Sequence, residues 1–497
     1  MFLGIDLGTS SVKVLLLDTQ HRVVATTDAP LELSRPRPHW SEQHPNDWWA
    51  ALGTAMRELK SSVPQALAEV SGIGLSGQMH GAVVLDARRE ILRPAILWND
   101  TRASAQCTQL EAREPRSRQI TGNLAMPGFT APKILWLRKH EPELFARTRL
   151  VLLPKDWLRL KLTGEAVSEM SDAAGTLWLD TGARRWSEAM LAVCDLNLTH
   201  MPRLVEGTDV SGYLLPEVAQ AWGLQPGVVV AGGAGDNAAS AVGVGAVRAG
   251  QGFVSLGTSG VIFLVTDAYR PNPASAVHAF SHALPQRWHQ MSVMLSAASA
   301  FGWVTQLTGR GSEAALADEV ALLTETERMQ APIFLPYLSG ERTPHNDANA
   351  SGTFTGLRPA HGAAALAYAV MEGVTFGLMD GLRAMQGEQT GGPPLALVGG
   401  GARSNAWAQM IASGLGRTLL RDEGAQAAAA LGAARLGWMA AGGAEATVCL
   451  PLQTAMRFEP DAREASLLTE RYQKFSALYP ALQDWFGRAG ADAQSPG

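Results

Sequence analysis

The sequence predicts an α/β protein built from two similar domains, and three observations carry this prediction. Apolar runs with strand character alternate with helix-like segments along the 497-residue chain, which is typical of α/β architecture. Several of these strand-like runs end directly in glycine-rich turns, where α/β sheets bind their ligands. Residues 7–10, Leu-Gly-Thr-Ser, return about half a chain later as residues 256–259.

The predicted elements follow from residue type and from the signals at their ends. Short runs rich in Val, Ile and Leu and bounded by Gly or polar turns predict strands. Residues 45–60 begin with Pro45 after a polar residue, which indicates the first turn of a helix. The predicted strands are residues 2–6, 12–17, 70–75, 82–85, 228–231, 253–256, 261–265 and 396–398, and the predicted helices are residues 45–60, 364–385 and 405–415.

Each copy of the repeat has an apolar strand, a Gly-Thr-Ser turn and a second apolar strand, which predicts a β-hairpin with a polar tip. A repeat over half the chain predicts two similar domains, residues 1–247 and 248–497. The copies differ where chemistry is concerned, because Asp6 in the first corresponds to Ser255 in the second. Only the first hairpin therefore offers a carboxylate.

Composition excludes several classes of function. The net charge of −5 does not indicate a nucleic-acid-binding surface. Three cysteines without zinc or disulfide spacing indicate a reducing compartment, and we expect a cytoplasmic protein. Residues 228–247 are long enough to span a membrane, but Asp236, Asn237 and several glycines interrupt them, so we expect no membrane association.

Two glycine-rich loops each hold one aspartate, and both suit phosphate chemistry. Asp236 follows the predicted strand 228–231 in the sequence Gly-Gly-Ala-Gly-Asp-Asn. A carboxylate placed there can take the proton from a hydroxyl that attacks phosphorus, and Asn237 can orient that hydroxyl. The alternative for Asp236 is a helix cap. Asp6, beside the first hairpin tip, has the ligand chemistry of a Mg²⁺ site.

Two further segments offer the groups of a sugar pocket. Residues 76–81, Ser-Gly-Gln-Met-His-Gly, predict a hairpin whose tip presents Met79 and His80 as an apolar wall and a hydrogen-bonding group. Trp98 and Asp100 place an aromatic face beside a carboxylate. The alternatives are a turn with incidental side chains for the first segment and a surface ion pair between Asp100 and Arg102 for the second.

The segment 399–405, Gly-Gly-Gly-Ala-Arg-Ser-Asn, ends a predicted strand and begins a predicted helix. Three glycines allow the backbone to lie flat against a planar group such as adenine. The alternative is a strand-to-helix turn capped by Ser404 or Asn405. The histidines show no metal-ligand spacing, and the turn at residues 341–345 has no role that these arguments supply.

The order of these segments resembles the FGGY carbohydrate kinases over about residues 1 to 440. The segments that carry the resemblance are residues 4–10, 76–81, 97–100, 128–137, 155–158, 233–237, 256–260, 338–344 and 399–405. One departure lies at residues 363–366, Ala-Ala-Ala-Leu, where the family's second signature has an acidic or amide residue opening the helix.

The resemblance implies two ribonuclease-H-like domains of the actin/hexokinase type around a central cleft. It implies an ATP-dependent kinase for a ketopentose, with D-xylulose favoured by the Gln-Met-His-Gly tip. It implies Asp236 as the catalytic base and Asp6 as a catalytic residue that holds Mg²⁺. The implied sugar contacts are Met79, His80, Trp98, Asp100, Asp236 and Asn237, and the implied ATP contacts are Gly8, Thr9, Ser10, Gly257, Thr258, Gly400, Gly401 and Asn405.

Two alternative functions stay open at this point, and so does the oligomeric state. The enzyme could act on another ketose or pentitol, such as D-ribulose, L-xylulose or xylitol, because small contact differences set such preferences. A remoter alternative is an actin-like ATPase without a sugar substrate, because a shared fold does not determine function. Similar kinases are often dimers, so a homodimer is expected, although no segment of this sequence marks an interface.

Overall fold

The computed structural model describes residues 1–387, 391–422 and 424–494, so the remainder of the predicted domain 248–497 lies outside the described residues. The molecule contains two seven-stranded sheets, and each is built on one copy of the repeated hairpin. Phe2–Leu7 pairs antiparallel with Ser11–Leu17, and Gly252–Leu256 pairs antiparallel with Gly260–Thr266. The two predicted hairpins are therefore confirmed.

The two sheets share one topology, in which the hairpin is followed by two parallel strands. The strand order in the first sheet is Val210–Tyr213, Val229–Ala231, Gly72–Gly77, Phe2–Leu7, Ser11–Leu17 and Val23–Pro30, with Ala234–Gly235 also on Gly72–Gly77. The strand order in the second sheet is His278–Ser281, Trp288–Met294, Gly260–Thr266, Gly252–Leu256, Leu395–Val398, Leu419–Asp422 and Thr454–Phe458.

Helices cover both sheets, and small two-stranded sheets complete the loops. The helices are Pro45–Ser62, Pro64–Ala68, Ser104–Arg113, Ser117–Thr121, Thr130–His140, Pro142–Arg147, Pro154–Thr163, Met170–Ala174, Glu188–Val193, Pro216–Trp222, Asp236–Gly243, Ala298–Leu307, Glu313–Ala321, Glu325–Gln330, Ala363–Gln386, Asn405–Leu415, Ala428–Ala440, Glu445–Val448 and Ala462–Gln494. Short 3₁₀ turns lie at Leu198–His200, Pro273–Ser275, Gly400–Arg403 and Ala425–Ala427. The small sheets pair Glu42–Gln43 with Ala95–Ile96, Val83–Leu85 with Leu150–Leu152, Val167–Glu169 with Arg203–Val205, Leu179–Asp180 with Arg185–Trp186, and Ile333–Leu335 with Thr353–Thr355.

One predicted element is wrong, because residues 76–81 do not form a hairpin. Gly72–Gly77 already pairs with Phe2–Leu7 on one side and with Val229–Ala231 on the other. Neither edge of that strand is free, so the following strand Val83–Leu85 pairs with Leu150–Leu152 in a separate sheet. The turn between them therefore leaves the first sheet and carries Met79 and His80 beyond its edge.

Helix Ala428–Ala440 belongs to the second half of the chain but packs on the first sheet. Its backbone lies so close that a Cβ atom on Gly74 would be 1.8 Å from the carbonyl oxygen of Ala433. A Cβ atom on Gly4 would be 1.9 Å from the carbonyl oxygen of Ala430. Glycine is therefore required on these strands, and the helix ties the two halves together. The exact boundary at residues 247/248 stays a prediction.

We expect Gly74→Ala to lower the free energy of unfolding by about 3 kcal/mol, because the new methyl group would overlap a helix carbonyl. The matched control is Gly53→Ala in helix Pro45–Ser62, whose Cβ would meet only Arg57 Nη1 at 3.5 Å. The control should raise stability by about 0.5–1 kcal/mol. Urea unfolding of both variants checks this, and equal stabilities would contradict the close packing.

The apolar helix Ala363–Gln386 is the one described helix long and apolar enough to cross a membrane, and 72% of its most apolar window is buried inside the protein. The indole Nε1 of Trp407 donates to the carbonyl of Met371 on this helix at 3.0 Å. Helix Ala363–Gln386 packs against the strand Trp288–Met294 and helix Asn405–Leu415. These contacts are those of a core helix of the second half.

Candidate active site

Two carboxylates meet where neighbouring strands of the first sheet end. Asp6 lies opposite Ser76 in the parallel pairing, and Ala234 lies opposite Ser76 on its other side. Asp236 follows one residue after the Ala234–Gly235 strand, at the start of helix Asp236–Gly243. The sheet therefore brings together the two glycine-rich loops that the sequence separates by more than two hundred residues.

Burial and mutual repulsion shape the protonation of this pair. Burial, together with the negative charge of Asp6, raises the pKa of Asp236 to about 6, while the hydrogen bonds from Asn237 lower it. Those bonds run from the Asn237 backbone N and Nδ2 to Asp236 Oδ1 at 2.7 and 2.9 Å. Burial also raises the pKa of Asp6, whose Oδ1 accepts from Ser76 Oγ at 2.9 Å. A carboxylate that titrates near pH 6 is suited to general-base chemistry.

Asp236 does not cap its helix, so the structural alternative for this residue is wrong. The cap position of helix Asp236–Gly243 is Gly235, and no side chain completes the cap. The carboxylate of Asp236 is half-buried and hydrogen-bonds only to Asn237 among the described residues. Its remaining oxygen is available to a ligand.

Met79 lies beside the loop that carries Asp236, and His80 is the next residue in the same turn. Met79 packs on the loop before Asp236, where a Cβ atom on Gly235 would be 2.9 Å from Met79 Cγ. The ring Nδ1 of His80 is 2.7 Å from the carbonyl oxygen of Gly175, which makes Nδ1 the protonated nitrogen. Burial lowers the pKa of His80 to about 3, so the ring is neutral at neutral pH. Its Nε2 is an acceptor with no described partner.

The structure separates the two remaining predicted sugar contacts. Trp98 is 46% exposed, and its Nε1 donates to Thr9 Oγ1 at 2.9 Å. Asp100 is fully buried, and its carboxylate accepts from the Ser41 amide and from Arg102 Nη2, both at 2.6 Å. The ion pair with Arg102 exists, but it is buried rather than on the surface. The structure therefore does not bring the Asp100 carboxylate to the cleft.

The tip of the first hairpin is held by two glutamines. Gln43 Nε2 donates to the carbonyl of Thr9 at 2.8 Å, and Gln78 Nε2 donates to Gln43 Oε1 at 3.1 Å. The hydroxyl of Thr9 is 3.3 Å from Gln78 Oε1. The backbone N of Gly8 donates to the carbonyl of Ser11 at 3.0 Å, and Ser10 is exposed. Gln43 was missed, because no sequence signal links it to a turn more than thirty residues away.

A cleft of about 1040 Å³ opens at the corresponding end of the second sheet. It is lined by Gly257 and Thr258 of the second hairpin and by Gly400, Gly401 and Asn405 of the glycine-rich turn. All five predicted ATP contacts of the second half therefore share one cleft. Sequence reasoning missed the other wall, whose members are Ala298, Ser299, Phe301, Glu313, Ala314, Ala317, Asp318 and Ala321.

The glycine-rich turn is shaped by its neighbour strand. A Cβ atom on Gly399, which has φ 96°, would be 2.6 Å from the carbonyl oxygen of Leu256. Nothing lies within 4 Å of a Cβ atom placed on Gly400, so this residue faces open space in the cleft. Ser404 caps helix Asn405–Leu415 through the Trp407 amide at 3.3 Å. Asn405 is therefore left to face the cleft.

Comparison with known proteins identifies the family. Residues 1–243 match the N-terminal domain of the FGGY family of carbohydrate kinases, and residues 252–441 match its C-terminal domain. The chain belongs to the FGGY family of carbohydrate kinases. It is 52% identical to a xylulose kinase of Escherichia coli K12 and 50% identical to one of Klebsiella pneumoniae. Each of these comparisons covers 97% of this chain and 99% of the relative.

Solved structures agree with this membership. A structure described as that of a xyloylose kinase from Brucella ovis is 51% identical and superposes with a TM-score of 0.94, over 97% of this chain and 99% of that one. A xylulose kinase from Rhodospirillum rubrum, 27% identical, superposes with a TM-score of 0.89 over 98% of this chain and 99% of that one. The predicted two-domain α/β fold is confirmed. As an FGGY kinase the protein is a sugar kinase, an enzyme class that uses ATP.

In this FGGY kinase the turn at residues 341–345 packs against strands of the second sheet. Arg342 Nη1 lies 3.4 Å from His278 Nε2, and Phe129 makes edge-to-face ring contacts with both His278 and His80. Burial raises the pKa of Glu341 to about 8, and its Oε1 accepts from the Leu295 amide at 3.0 Å. Sequence reasoning assigned no role to this turn, because its partners come from distant strands.

The neutral histidines of this region predict a loss of stability at acidic pH. Burial lowers the pKa values of His278 and His289 well below their ordinary range and that of His282 to about 3. The unfolded chain binds protons below about pH 6.5 while these native rings stay neutral. The stabilisation that each of these neutral histidines contributes should therefore be lost as the pH drops below 6.5, by up to about 1.4 kcal/mol per histidine and pH unit, while the raised pKa values of Glu341 and Asp236 act in the opposite direction.

Urea unfolding at pH 7.5, 6.5 and 5.5 measures this slope. His282→Gln should flatten it, because one histidine that must stay neutral in the native state is removed. The matched control is His39→Asn, which changes an exposed histidine and should leave the slope as it is. An equal slope in His282→Gln and in the wild type would contradict the expectation.

Proposed function

We propose that this FGGY kinase transfers the terminal phosphoryl group of ATP to the terminal hydroxyl of D-xylulose, which yields D-xylulose 5-phosphate. The observation that carries the proposal is the placement of Asp236 beside both Asp6 and the Met79–His80 turn. The identity of about one half to xylulose kinases over nearly the whole chain supports the choice of sugar.

Asp236 is the proposed base. Its pKa of about 6 leaves the carboxylate mostly ionised at neutral pH but still basic enough to accept a proton from an attacking hydroxyl. Asn237 is the proposed partner that orients the same hydroxyl, because its amide already fixes Asp236 Oδ1. The transferred proton resides on Asp236 until the phosphorylated sugar leaves.

The residues around Asp6 fit a Mg²⁺ ion. Hard divalent cations prefer carboxylate oxygens, and Asp6 Oδ2 has no hydrogen-bond partner among the described residues. Ser76 orients the other oxygen of the same carboxylate. Asp6 is the residue that would hold the ion with the ATP phosphates. When bound, Mg²⁺ neutralises negative charge on the phosphoryl group that is transferred.

The proposed ATP site is the cleft of the second half. Gly400, Gly401 and Asn405 offer a flat backbone surface for adenine, and Gly257 and Thr258 offer hairpin groups for the phosphates. Gly8, Thr9 and Ser10 are the proposed phosphate contacts from the first sheet. Closure of the two halves over the substrates would exclude water and limit hydrolysis of ATP.

The proposed sugar site uses His80 Nε2 as an acceptor, Met79 as an apolar wall and Trp98 as the aromatic wall. Trp98 is suited to this because its face is partly exposed while its Nε1 is fixed on Thr9. We assign Asp100 a different role from the predicted one. Its Oδ2 accepts from Ser41 and Arg102 and its Oδ1 accepts from Arg102, so Asp100 holds the Trp98 loop in place.

We further propose a cytoplasmic setting, supported by Cys107, Cys194 and Cys449, which are all free thiols. The expected partners are the sugar and ATP. A homodimer stays a prediction, as does the absence of nucleic-acid and membrane partners.

The test is sugar-dependent ADP release with Mg-ATP across D-xylulose, D-ribulose, L-xylulose, xylitol, glycerol and gluconate. Strong stimulation by D-xylulose is the expected result. A preference for another sugar would keep the kinase mechanism and replace the proposed substrate. Steady ATP hydrolysis that no sugar stimulates would overturn the proposal in favour of an actin-like ATPase.

A further inference from the structure

A buried charge cluster packs against the strand and loop that lead to Asp236. It consists of Lys155, Asp156, Arg159, Glu169 and Asp172, all fully buried. Lys155 Nζ is 2.8 Å from Asp156, 3.3 Å from Glu169 and 3.0 Å from Asp172. Burying so many charges is costly even when they are paired. Replacing buried ion pairs by apolar side chains is often neutral or stabilising, so the presence of the cluster raises the question of a role other than stability.

The cluster holds the chain that leads to the catalytic loop. Arg159 Nη1 donates to the carbonyl of Ala231 at 3.0 Å, and its Nη2 donates to the carbonyl of Gly232 at 2.6 Å. These two residues join the strand Val229–Ala231 to the glycine-rich loop. A planar guanidinium that binds two successive carbonyls fixes both the position and the direction of the backbone.

The same cluster fixes the short helix Met170–Ala174. Glu169 caps this helix, since its carboxylate accepts from the Ser171 amide at 2.7 Å and from the Asp172 amide at 2.9 Å. The hydroxyl of Ser171 donates to Glu169 at 3.0 Å and accepts from the backbone N of Gly235 at 3.1 Å. Gly235 immediately precedes Asp236. Ser171 therefore hydrogen-bonds to the residue directly before the proposed base.

The other end of the helix holds the proposed sugar-binding histidine. Gly175 directly follows the helix, and its carbonyl accepts the hydrogen bond from His80 Nδ1. A Cβ atom on Gly175 would lie 2.6 Å from His80 Nδ1 and 3.0 Å from Met79 Cε. A larger residue would therefore displace the ring.

We propose that helix Met170–Ala174 is a positioning element that sets the separation between Asp236 and His80. Ser171 positions the base loop through Gly235, and Gly175 positions the sugar histidine. The buried charge cluster fixes the position of this helix relative to the loop that carries Asp236. This inference rests on the proposed roles of Asp236 and His80. It adds that a single helix fixes the position of the base, which acts on the reacting hydroxyl, relative to the histidine, which binds the sugar.

Ser171→Ala tests the first half of the proposal. Small misplacements of a catalytic group are costly, so we expect kcat to fall about tenfold or more. The KM values for sugar and ATP should change by less than about twofold, because His80 and the ATP cleft are not touched. The matched control is Ser168→Ala, which removes another buried hydroxyl of the same segment that has no hydrogen-bond partner. The control should keep kcat.

The thermal midpoints of both variants are measured beside the kinetics. An unchanged kcat in Ser171→Ala would overturn the role of Ser171, and so would an equal loss in Ser168→Ala. A loss of kcat that only follows a loss of folded protein would overturn it as well.

Gly175→Ala tests the second half independently. We expect the KM for D-xylulose to rise about tenfold while the affinity for ADP stays the same, because the new methyl group pushes the His80 ring and the end of Met79, both in the proposed sugar site, and does not reach the ATP cleft. The control is Gly311→Ala, where nothing lies within 4 Å of the new methyl group. An unchanged KM for the sugar in folded Gly175→Ala would overturn the role of Gly175.

A spectroscopic readout separates this inference from the proposed function. Histidine ¹⁵N NMR without substrates should show His80 protonated on Nδ1 in the wild type and in Ser171→Ala, with the signals changed in Gly175→Ala. This result does not depend on the sugar. If the wild type prefers another sugar, the same kinetics apply with that sugar. If no sugar stimulates it, the proposed function fails, and an unchanged His80 signal in Gly175→Ala would refute the structural coupling separately.

Discussion

Asp236→Asn is expected to lower kcat about a thousandfold while the protein stays folded. An amide cannot accept the proton of the attacking hydroxyl, and a positioned general base contributes about 10²–10⁴ to the rate. The substitution keeps the size of the side chain and removes a carboxylate that is costly to bury, so the thermal midpoint should not fall. Steady-state kinetics with D-xylulose and a thermal melt are the measurements.

Asp195→Asn is the control, because it removes a carboxylate that is exposed at the surface and paired with Arg138. This variant should keep the kcat of the wild type. Near-normal turnover in Asp236→Asn would show that another group takes the proton, and the assignment of the base would be lost.

Asp6→Asn is expected to lower kcat about a hundredfold and to raise the Mg²⁺ concentration needed for half-maximal rate. The neutral amide is a weaker ligand for Mg²⁺ than the carboxylate, and less charge would be neutralised on the phosphoryl group. ADP binding without metal should be unchanged, because the proposed adenine site lies on the second sheet. Titrations with Mg²⁺ and with ADP measure the two effects.

Asp28→Asn is the matched control, since Asp28 is exposed on the nearby strand Val23–Pro30 of the same sheet. An unchanged Mg²⁺ requirement in Asp6→Asn would remove Asp6 from the metal site. A loss of metal-free ADP binding would instead show that Asp6 acts on the fold or on the nucleotide.

The sequence pattern predicted those elements of the fold that depend only on residues close together in the chain. The two hairpins were predicted from apolar strands on either side of a Gly-Thr-Ser turn. In the structure the two strands of each hairpin pair antiparallel, as expected. The meeting of Asp6 and Asp236 followed from the rule that α/β loops gather at strand ends, together with the family resemblance. The pairing of Gly72–Gly77 with both neighbours is the geometric reason.

Partner choice across long distances could not be predicted in the same way. The hairpin expected at residues 76–81 is absent because Gly72–Gly77 is already paired on both edges. Asp100 was predicted to face a sugar, but Arg102 and Ser41 enclose it, and sequence spacing cannot distinguish a buried ion pair from an exposed one. The packing of helix Ala428–Ala440 on Gly74 could not be predicted either, because a run of small residues does not indicate which element packs against it.

The most direct test of the central claim is to identify the product formed from D-xylulose and Mg-ATP by ³¹P and ¹³C NMR, with ADP quantified in the same sample. We expect one sugar phosphate, esterified on the C5 oxygen, in equal amount to the ADP. We expect the Asp236→Asn enzyme to form neither product above background on the same time scale. ADP released without a sugar phosphate, or an ester on another oxygen, would contradict the claim.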